Sequence, residues 1–511
     1  MRGVTTAMPA IGGGATMQLA EFASLVHGAK LSGDGRTPIS GIRIDSRKVM
    51  PGDLFICVPG LVNDGHRFAG QAKQMGAAAL VVERDVDVDL PKIFVKDARF
   101  AMAVFAAHFY GYPSRELKLI GVTGTNGKTT TAMLIEQMLR DCGMRTGLMG
   151  TVGTKIGDGW FEAERTTMDA VDLQMNLRRM ADIGTDFCVM EVSSHALELG
   201  RVKGCRFRTA LFTNLTQDHL DFHVTMERYK AAKGLLFARL GNEFEADPDK
   251  RRYAVLNKDD PASDDFSRMT SAEVVTYGFG DGADVRASGV SVTPKGTRFS
   301  CSAFGRQIDV AMKLIGKFNV SNALAALSAV LLEGVPLERA ARALESAAGA
   351  PGRMEMVDEG QPFLVVVDYA HTPDGLENAL ATIREFARGR VITVFGCGGE
   401  RDRTKRPLMG GIAARLSDIV VVTSDNPRSE PEEVIIDDIE SGIPEEKRDP
   451  SRYARIADRK AAIKRAIEWA SEDDVVLIAG KGHETYQVIG GVNIPFDDRE
   501  VAKEAIRGIR P

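Results

Sequence analysis

No CxxC pair occurs among the six cysteines, Cys57, Cys142, Cys188, Cys205, Cys301 and Cys397. Several sit inside apolar runs such as Phe187-Cys-Val-Met190, so a disulfide frame and a zinc site are both excluded and free thiols in a reducing compartment are expected. No apolar run approaches the roughly 20 residues needed to span a membrane. There is no basic surplus: 65 Lys and Arg stand against 70 Asp and Glu, a net charge of −5. That balance argues against sequence-independent nucleic-acid binding, which needs a basic surface. The first sixteen residues are rich in Gly, Ala and Thr and carry no continuous apolar segment, so they read as a loose extension of a cytoplasmic protein and not as a signal peptide. Internal repeats and low-complexity tracts are missing too. What is present is ordinary for a globular chain, 44% hydrophobic and 26% charged over 511 residues, with length for roughly three domains at ~150 residues each.

The most informative segment is Gly121-Val-Thr-Gly-Thr-Asn-Gly-Lys-Thr-Thr130. It follows an apolar strand-like run and opens a helical pattern with apolar residues at Met133, Leu134, Ile135, Met138 and Leu139. Strand, glycine loop, Lys-Thr and helix form a nucleotide-triphosphate cradle. Gly124 and Gly127 let backbone N–H groups turn toward phosphate oxygens, with Thr125 and Asn126 between them. Lys128 reaches the β/γ-phosphates, and Thr129 or Thr130 can bind Mg²⁺, with Thr130 carried forward as the ligand. The strict phosphate-loop pattern wants a glycine where Val122 stands.

Three α/β blocks are expected. Residues 1–97 hold short strands at Gly41–Asp45, Asp53–Val58 and Ala78–Val82 and a helix over Arg67–Met75. Residues 98–349 begin with a helical bridge, Ala98–Tyr110, then the phosphate loop and strands Phe187–Val192 and Thr209–Asn214. A β-meander over Ala254–Val310 and a helix Asn319–Leu332 follow. Residues 350–511 alternate apolar runs Phe363–Val367, Val391–Phe395, Ile419–Thr423 and Val475–Ala479 with helical segments, the pattern of a doubly wound parallel sheet.

In such sheets ligands bind beyond the C-terminal strand ends. The polar loops of the third block all fall there: Asp368-Tyr-Ala-His-Thr-Pro373, Gly396-Cys-Gly-Gly-Glu-Arg-Asp402, Ser424-Asp-Asn-Pro-Arg428 and Gly480-Lys-Gly-His-Glu484. In the second block Glu191 ends an apolar strand near the phosphate loop, well placed for Mg²⁺. His195 reads equally as a metal ligand or a capping residue. The segment Asn214–His223, dense in Asp and His, fits a supporting shell for Mg²⁺. Lys233 by itself reads as a solvated helix lysine.

Taken in order, Thr123–Thr130, Glu191-Val-Ser-Ser-His195, Asn319 to Asn322, Asp368–Pro373 and Gly480–Glu484 resemble the Mur ligases, ATP-dependent amide ligases that build the peptide stem of the bacterial cell wall. The likeness runs from Asp45-Ser-Arg47 to Glu484. It implies three domains: a small α/β unit for the UDP end of the substrate, a central ATPase unit with a parallel sheet, and a Rossmann-like unit for the amino acid. The implied reaction adds meso-2,6-diaminopimelate to UDP-N-acetylmuramoyl-L-alanyl-D-glutamate with ATP and Mg²⁺, with L-lysine as the alternative amine. The resemblance assigns Ile44, Ser46, Leu61, Val62, Asn63, Thr166, Thr167, Ser193, Leu199 and Arg201 to the UDP substrate. Leu199 stands where the family can carry a Gln. It assigns Asn319, Arg353 and His371 to ATP, and makes Lys128, Glu191, His219 and Lys233 catalytic. Lys233 becomes a CO₂-carbamylated metal ligand beside Glu191 and Thr130. Diaminopimelate falls to Arg401, Asp425, Asn426, Pro427, Arg428, Gly480 and Glu484. A guanidinium fork at Arg428 suits the distal carboxylate, Pro427 stiffens its loop, and Glu484 balances the distal ammonium. The implied partners are small molecules only, acting on a monomer with no nucleic acid and no membrane insertion. A non-catalytic nucleotide switch is the rival from another class, but it has no use for four convergent loops.

Overall fold

The computed structural model describes residues 16–60, 63–163, 165–242 and 244–509. Residues 1–15 of the expected sixteen-residue extension and the substrate contacts expected at Leu61 and Val62 lie outside the described residues.

The chain builds three α/β units, each on a mainly parallel sheet. In the first, strands run in the order Lys30–Ser32, Lys92–Phe94, Ala79–Val82, Asp53–Ile56 and Gly41–Arg43, with only the first antiparallel. Leu54, Phe55, Ile56 and Cys57 are all buried, as befits a strand covered on both faces. The helix expected over Arg67–Met75 is split into a 3₁₀ turn, Gly65–Phe68, and a short helix, Ala69–Gln74. The Asp64 carboxylate accepts the His66 amide at 3.0 Å and starts the turn early. Helix Ala98–Phe109 follows, capped by Asp97, which accepts from the Phe100 amide at 2.9 Å.

At the centre of the second sheet strand Lys118–Thr123 lies between Phe187–Glu191 and Phe207–Phe212, parallel to both. The register sets Glu191 opposite Val122. Val122 is a fully buried strand residue of the core, which explains the missing glycine: the chain there is still sheet, and the loop begins only at Gly124. The meander expected over Ala254–Val310 is half right. Tyr253–Asn257 and Glu273–Gly278 extend the parallel sheet with a helix, Ala262–Met269, between them. That helix buries Ala262 and Phe266, spaced one turn apart. Only Val285–Thr293, Gly296–Ala303 and Arg306–Met312 form the antiparallel meander.

The third sheet is ordered Glu355–Met356, Leu364–Asp368, Val475–Ala479, Val391–Phe395, Ile419–Val422 and Tyr453–Arg455, parallel except at its first strand. Helices cover both faces: Leu376, Leu380, Ile383, Met409 and Ile435 on one, Ile463, Ile467 and Ile506 on the other. This is the doubly wound arrangement, and it gathers four strand ends on one edge. All six cysteines are free, four buried and two partly so. Among the described residues no helix is long and apolar enough to cross a membrane.

Candidate active site

The phosphate loop joins the central strand to helix Lys128–Asp141. Gly127 holds φ +84°, and a Cβ there would strike the Asn322 carboxamide, so only glycine lets the loop lie this close to helix Lys317–Leu332. The first amides of helix Lys128–Asp141 have no acceptor within the helix and open toward an anion. Asn214 braces the loop: its backbone oxygen accepts from the Thr125 amide at 2.8 Å and its side-chain oxygen from the Asn126 amide at 2.9 Å. Lys128 folds back to donate to the Gly124 and Thr125 carbonyls at 2.9 and 2.8 Å. Burial pulls its pKa below the ordinary lysine value, and Glu191 partly offsets that.

Glu191 is 2% exposed. It accepts from Thr129 Oγ1 at 3.0 Å and from the Thr151 amide at 2.8 Å. Thr129, and not Thr130, therefore faces the carboxylate and lines the cavity. Thr130 lies one helical step further round and packs inward, 4% exposed. The metal-ligand expectation at Thr130 thus falls on a residue outside the cavity lining, with Thr129 inside it. Lys233 is not the solvated residue its isolated reading suggests: it is 1% exposed, and its Nζ donates to the Gly124 carbonyl at 2.7 Å with the Tyr229 ring 4.3 Å away. Burial, reinforced by the Lys128 charge, drives its pKa well below that of a free lysine.

His219 takes a left-handed φ of 56° and pairs with Asp218 at 3.3 Å. Burial lowers its pKa to about 3 against the opposing pull of Asp218. His195, left open by the sequence, packs edge-on to His219 and stacks on Phe222. His371 lines the cavity and its Nδ1 meets the Tyr369 carbonyl at 2.8 Å. Burial lowers its pKa to about 4. Arg353 lies over the Tyr369 ring, and its Nε is buried without a partner among the described residues, aimed for a ligand. Asn319 does not line the cavity. It donates to the Ile315 carbonyl at 2.8 Å and accepts from Asn322, so its side chain stabilises the helix entry.

Five of the residues expected to hold the amino acid, Arg401, Asp425, Asn426, Arg428 and Gly480, and a sixth, Glu484, line the same cavity of about 270 Å³ as the phosphate loop. Pro427 does not line it; its carbonyl packs on Gly399. Arg428 sits at φ 55° and Glu400 at φ 53°, two non-glycine residues in the left-handed region on facing loops. Arg428 Nη1 donates to the Gly399 carbonyl at 2.6 Å. Arg401 has no ion pair among the described residues and is exposed into the cleft. Behind these loops Arg459, fully buried, forms a two-pronged pair with Asp498 at 2.8 and 2.7 Å and donates to the Ser424 and Ala479 carbonyls. It thus ties the residues preceding Asp425 and Gly480 together.

The nucleotide-substrate residues divide between two places. Ile44, Ser46 and Asn63 line a separate cleft of about 860 Å³ with Arg165, Asp169 and Arg179. Thr166 and Ser193 line the phosphate cavity. Thr167 donates to the Glu191 carbonyl at 2.9 Å, while Arg201 donates to the Thr167 carbonyl at 3.1 Å and pairs with Asp169. Leu199 ends the short helix Ser194–Glu198 and lines neither cavity.

Sequence reasoning missed several residues here. Lys405 donates to the His371 carbonyl at 2.9 Å and lines the cavity, beside Asp218 and Asp402 of segments the sequence had singled out. Asp374, in the first turn of helix Pro373–Phe386, accepts from Asn126 Nδ2 at 2.6 Å and so links the two larger units. Its position beside the strand-end loop Asp368–Pro373 was the available signal.

Three family descriptions match the chain in order: Mur ligase family, catalytic domain, over residues 38–110; Mur ligase middle domain over 122–330; and Mur ligase, glutamate ligase domain, over 352–482. A curated protein of Bacillus cereus, UDP-N-acetylmuramoyl-L-alanyl-D-glutamate–2,6-diaminopimelate ligase, is 51% identical over 96% of this chain and 99% of its own. The protein of that name from Geobacillus thermodenitrificans is 52% identical over the same shares. A solved structure of a ligase so named is 35% identical, with a TM-score of 0.66 over 96% of this chain and 99% of that one. With three family models matched in order along most of its length and relatives about half identical over nearly all of it, the chain belongs to the Mur ligase family.

Proposed function

We infer that this chain joins 2,6-diaminopimelate to UDP-N-acetylmuramoyl-L-alanyl-D-glutamate, consuming ATP and releasing ADP and phosphate. One observation carries the reading. A single cavity holds both a phosphate-binding loop with its carboxylate and, on the facing unit, two guanidinium groups beside a glutamate. The first half activates a carboxylate. The second offers an anion site and a cation site together, the complement of a distal α-amino acid centre and not of the bare ammonium of lysine. The names of the relatives agree with it.

In the first step an oxygen of the D-glutamate carboxylate bonds to the γ-phosphorus, and the bridging β–γ bond breaks to release ADP. Lys128 and the first-turn amides balance the charge that accumulates on the transferred group. In the second step the free amine of diaminopimelate bonds to the acyl carbon, the acyl–phosphate bond breaks, and the nitrogen loses a proton. Both reactants must be held in line and away from water, and the Asn126–Asp374 hydrogen bond between the two units supports a closed arrangement that does so.

The donors fit Mg²⁺. Among the described residues there is no ready cluster of three metal-binding side chains, yet Mg²⁺ commonly takes one or two carboxylates and completes its shell with water and phosphate oxygens. Glu191 with Thr129 supplies such a hard-oxygen pair. Bound there, the ion neutralises phosphate charge and orients the γ-phosphoryl group. Lys233, with its depressed pKa, is an amine suited to take up CO₂, and the carbamate would add a second anionic oxygen donor. A reaction that draws on ATP and a UDP-linked substrate belongs in the cytoplasm, and a catalytic cavity built within one chain suits a monomer. The test is phosphate release measured with each substrate omitted in turn. Release should require the nucleotide dipeptide and the amine together; rapid ATP turnover without them would sink the reading.

A further inference from the structure

Lys481 is fully buried, which is costly for a primary amine unless its charge is matched. Its two polar contacts are both to residues of the amine site: Nζ donates to Asn426 Oδ1 at 3.0 Å and pairs with Glu484 Oε2 at 2.9 Å. The backbone drives it there. Gly480, before it, holds φ +121°, and a Cβ at that position would meet the Asp425 carboxylate, so the turn that points Lys481 inward needs glycine.

The contacts sort the atoms of its two partners. Asn426 Oδ1 accepts from Lys481 and from the Val488 amide at 2.9 Å, which fixes its carboxamide with Nδ2 directed at Glu484 Oε2, 2.8 Å away. Glu484 Oε2 therefore receives two donors. Among the described residues Oε1 receives only the Tyr369 hydroxyl, at 3.3 Å, and stays available on the cavity side. Burial raises the pKa of Asp425 against the opposing pull of Arg459 and Lys481, and Glu484 lines the cavity together with Arg401 and Arg428.

We propose that Lys481 is a positioning residue for amine selection: by holding Glu484 Oε2 and orienting Asn426, it presents Glu484 Oε1 to the distal ammonium of the amino-acid substrate. This rests on the ligase reading above. Lys481 touches no reacting atom, so the phosphate-transfer half of the site should not depend on it. It should instead set the preference for an amine bearing a second ammonium group.

The experiment compares diaminopimelate with 2-aminopimelate, which keeps both carboxylates and lacks the distal amine. The ratio of kcat/KM for the two amines is measured for the wild type, Lys481→Met and Lys481→Gln. The ratio does not depend on the folded fraction, so partial misfolding of a variant leaves it readable. The wild type should favour diaminopimelate, and Lys481→Met should reduce that preference tenfold or more through loss of diaminopimelate use, with KM for ATP unchanged. Lys481→Gln, able to keep one hydrogen bond, should fall between them. A Met variant whose activity drops equally for both amines, with the wild-type ratio intact, overturns the proposal alone. A wild type that does not distinguish the two amines overturns the reading of the amine site, and the proposal with it.

Discussion

Removing the carboxylate of Asp374 should loosen the two halves of the site from each other while leaving every cavity-lining residue in place. Asp374 does not line the cavity. Its role lies in the 2.6 Å bond from Asn126 Nδ2, which joins the phosphate loop to the first turn of helix Pro373–Phe386. A hydrogen bond to a charged group contributes about 1.5–3 kcal/mol. Asp374 also hydrogen-bonds Thr216 of the central unit, so its removal loses both ties, and further polar ties between these units among the described residues are weaker. Gln217 Nε2 reaches Thr404 Oγ1 at 3.0 Å and Asp402 at 3.4 Å. The Lys317–Glu385 pair, at 3.3 Å, is solvent-exposed and worth about 0–1 kcal/mol. At about 1.4 kcal/mol per tenfold, Asp374→Ala should lower the closed-to-open ratio roughly 10- to 100-fold. Steady-state ADP release at saturating substrate should show kcat reduced by roughly tenfold or more with KM for ATP little changed. Small-angle scattering should show a larger radius of gyration. Asp374→Asn, which keeps a neutral acceptor, should lose less. A variant with wild-type kcat and unaltered scattering would refute the assignment of Asn126–Asp374 as the closing contact.

Arg428→Ala should lower kcat/KM for diaminopimelate roughly 10- to 100-fold, the worth of a charge-assisted contact partly covered by Arg401, and should leave slow turnover of lysine unaltered; equal losses for both amines would remove Arg428 from selectivity. His223, His371 and His483 are each held at a pKa of about 4, chiefly by burial. Because these folded values lie below the unfolded value of about 6.5, the unfolded chain binds more protons in acid. Stability should be complete above about pH 6.5 and decline toward pH 4, by up to roughly 1.4 kcal/mol per pH unit for each ring; a melting temperature unchanged between pH 7 and pH 5 would contradict this. Stripping CO₂ from the buffer should reduce activity and bicarbonate should restore it, with ¹³CO₂ giving a carbamate carbon signal that Lys233→Ala lacks; full activity without CO₂ would leave Lys233 as a plain buried amine.

Much of this architecture could be read from residues alone because its strands are short apolar runs with polar ends. The third sheet was legible for that reason, as was the gathering of Arg428, Gly480 and Glu484 on one edge. Phase was harder. The phosphate-loop motif places its hydroxyl directly after the lysine, at Thr129, and the helix turns that residue and not Thr130 toward Glu191. Lys233 was readable in principle: Tyr229, Ala232, Lys233, Leu236 and Phe237 form one buried stripe at helical spacing, and the lysine stands inside it. Lys481 and Asp374 were hidden for a different reason. Lys481 lies in a polar turn and Asp374 on the polar side of a helix start, and the role of each comes from contacts 55 and 248 residues distant in sequence.

The buried Arg459–Asp498 pair has a consequence for how the protein comes into being. Asp498 opens helix Asp498–Ile509, which follows every other element of the described chain, yet through Arg459 it secures the loops carrying Asp425 and Gly480. During synthesis domains fold from the N-terminal end onward. The phosphate loop can therefore acquire its shape on the ribosome long before the amine pocket has its last fastening. The loops carrying Asp425 and Gly480 are fastened only once helix Asp498–Ile509 has been made, and a variant lacking that helix should still grip nucleotide but hold those loops loosely.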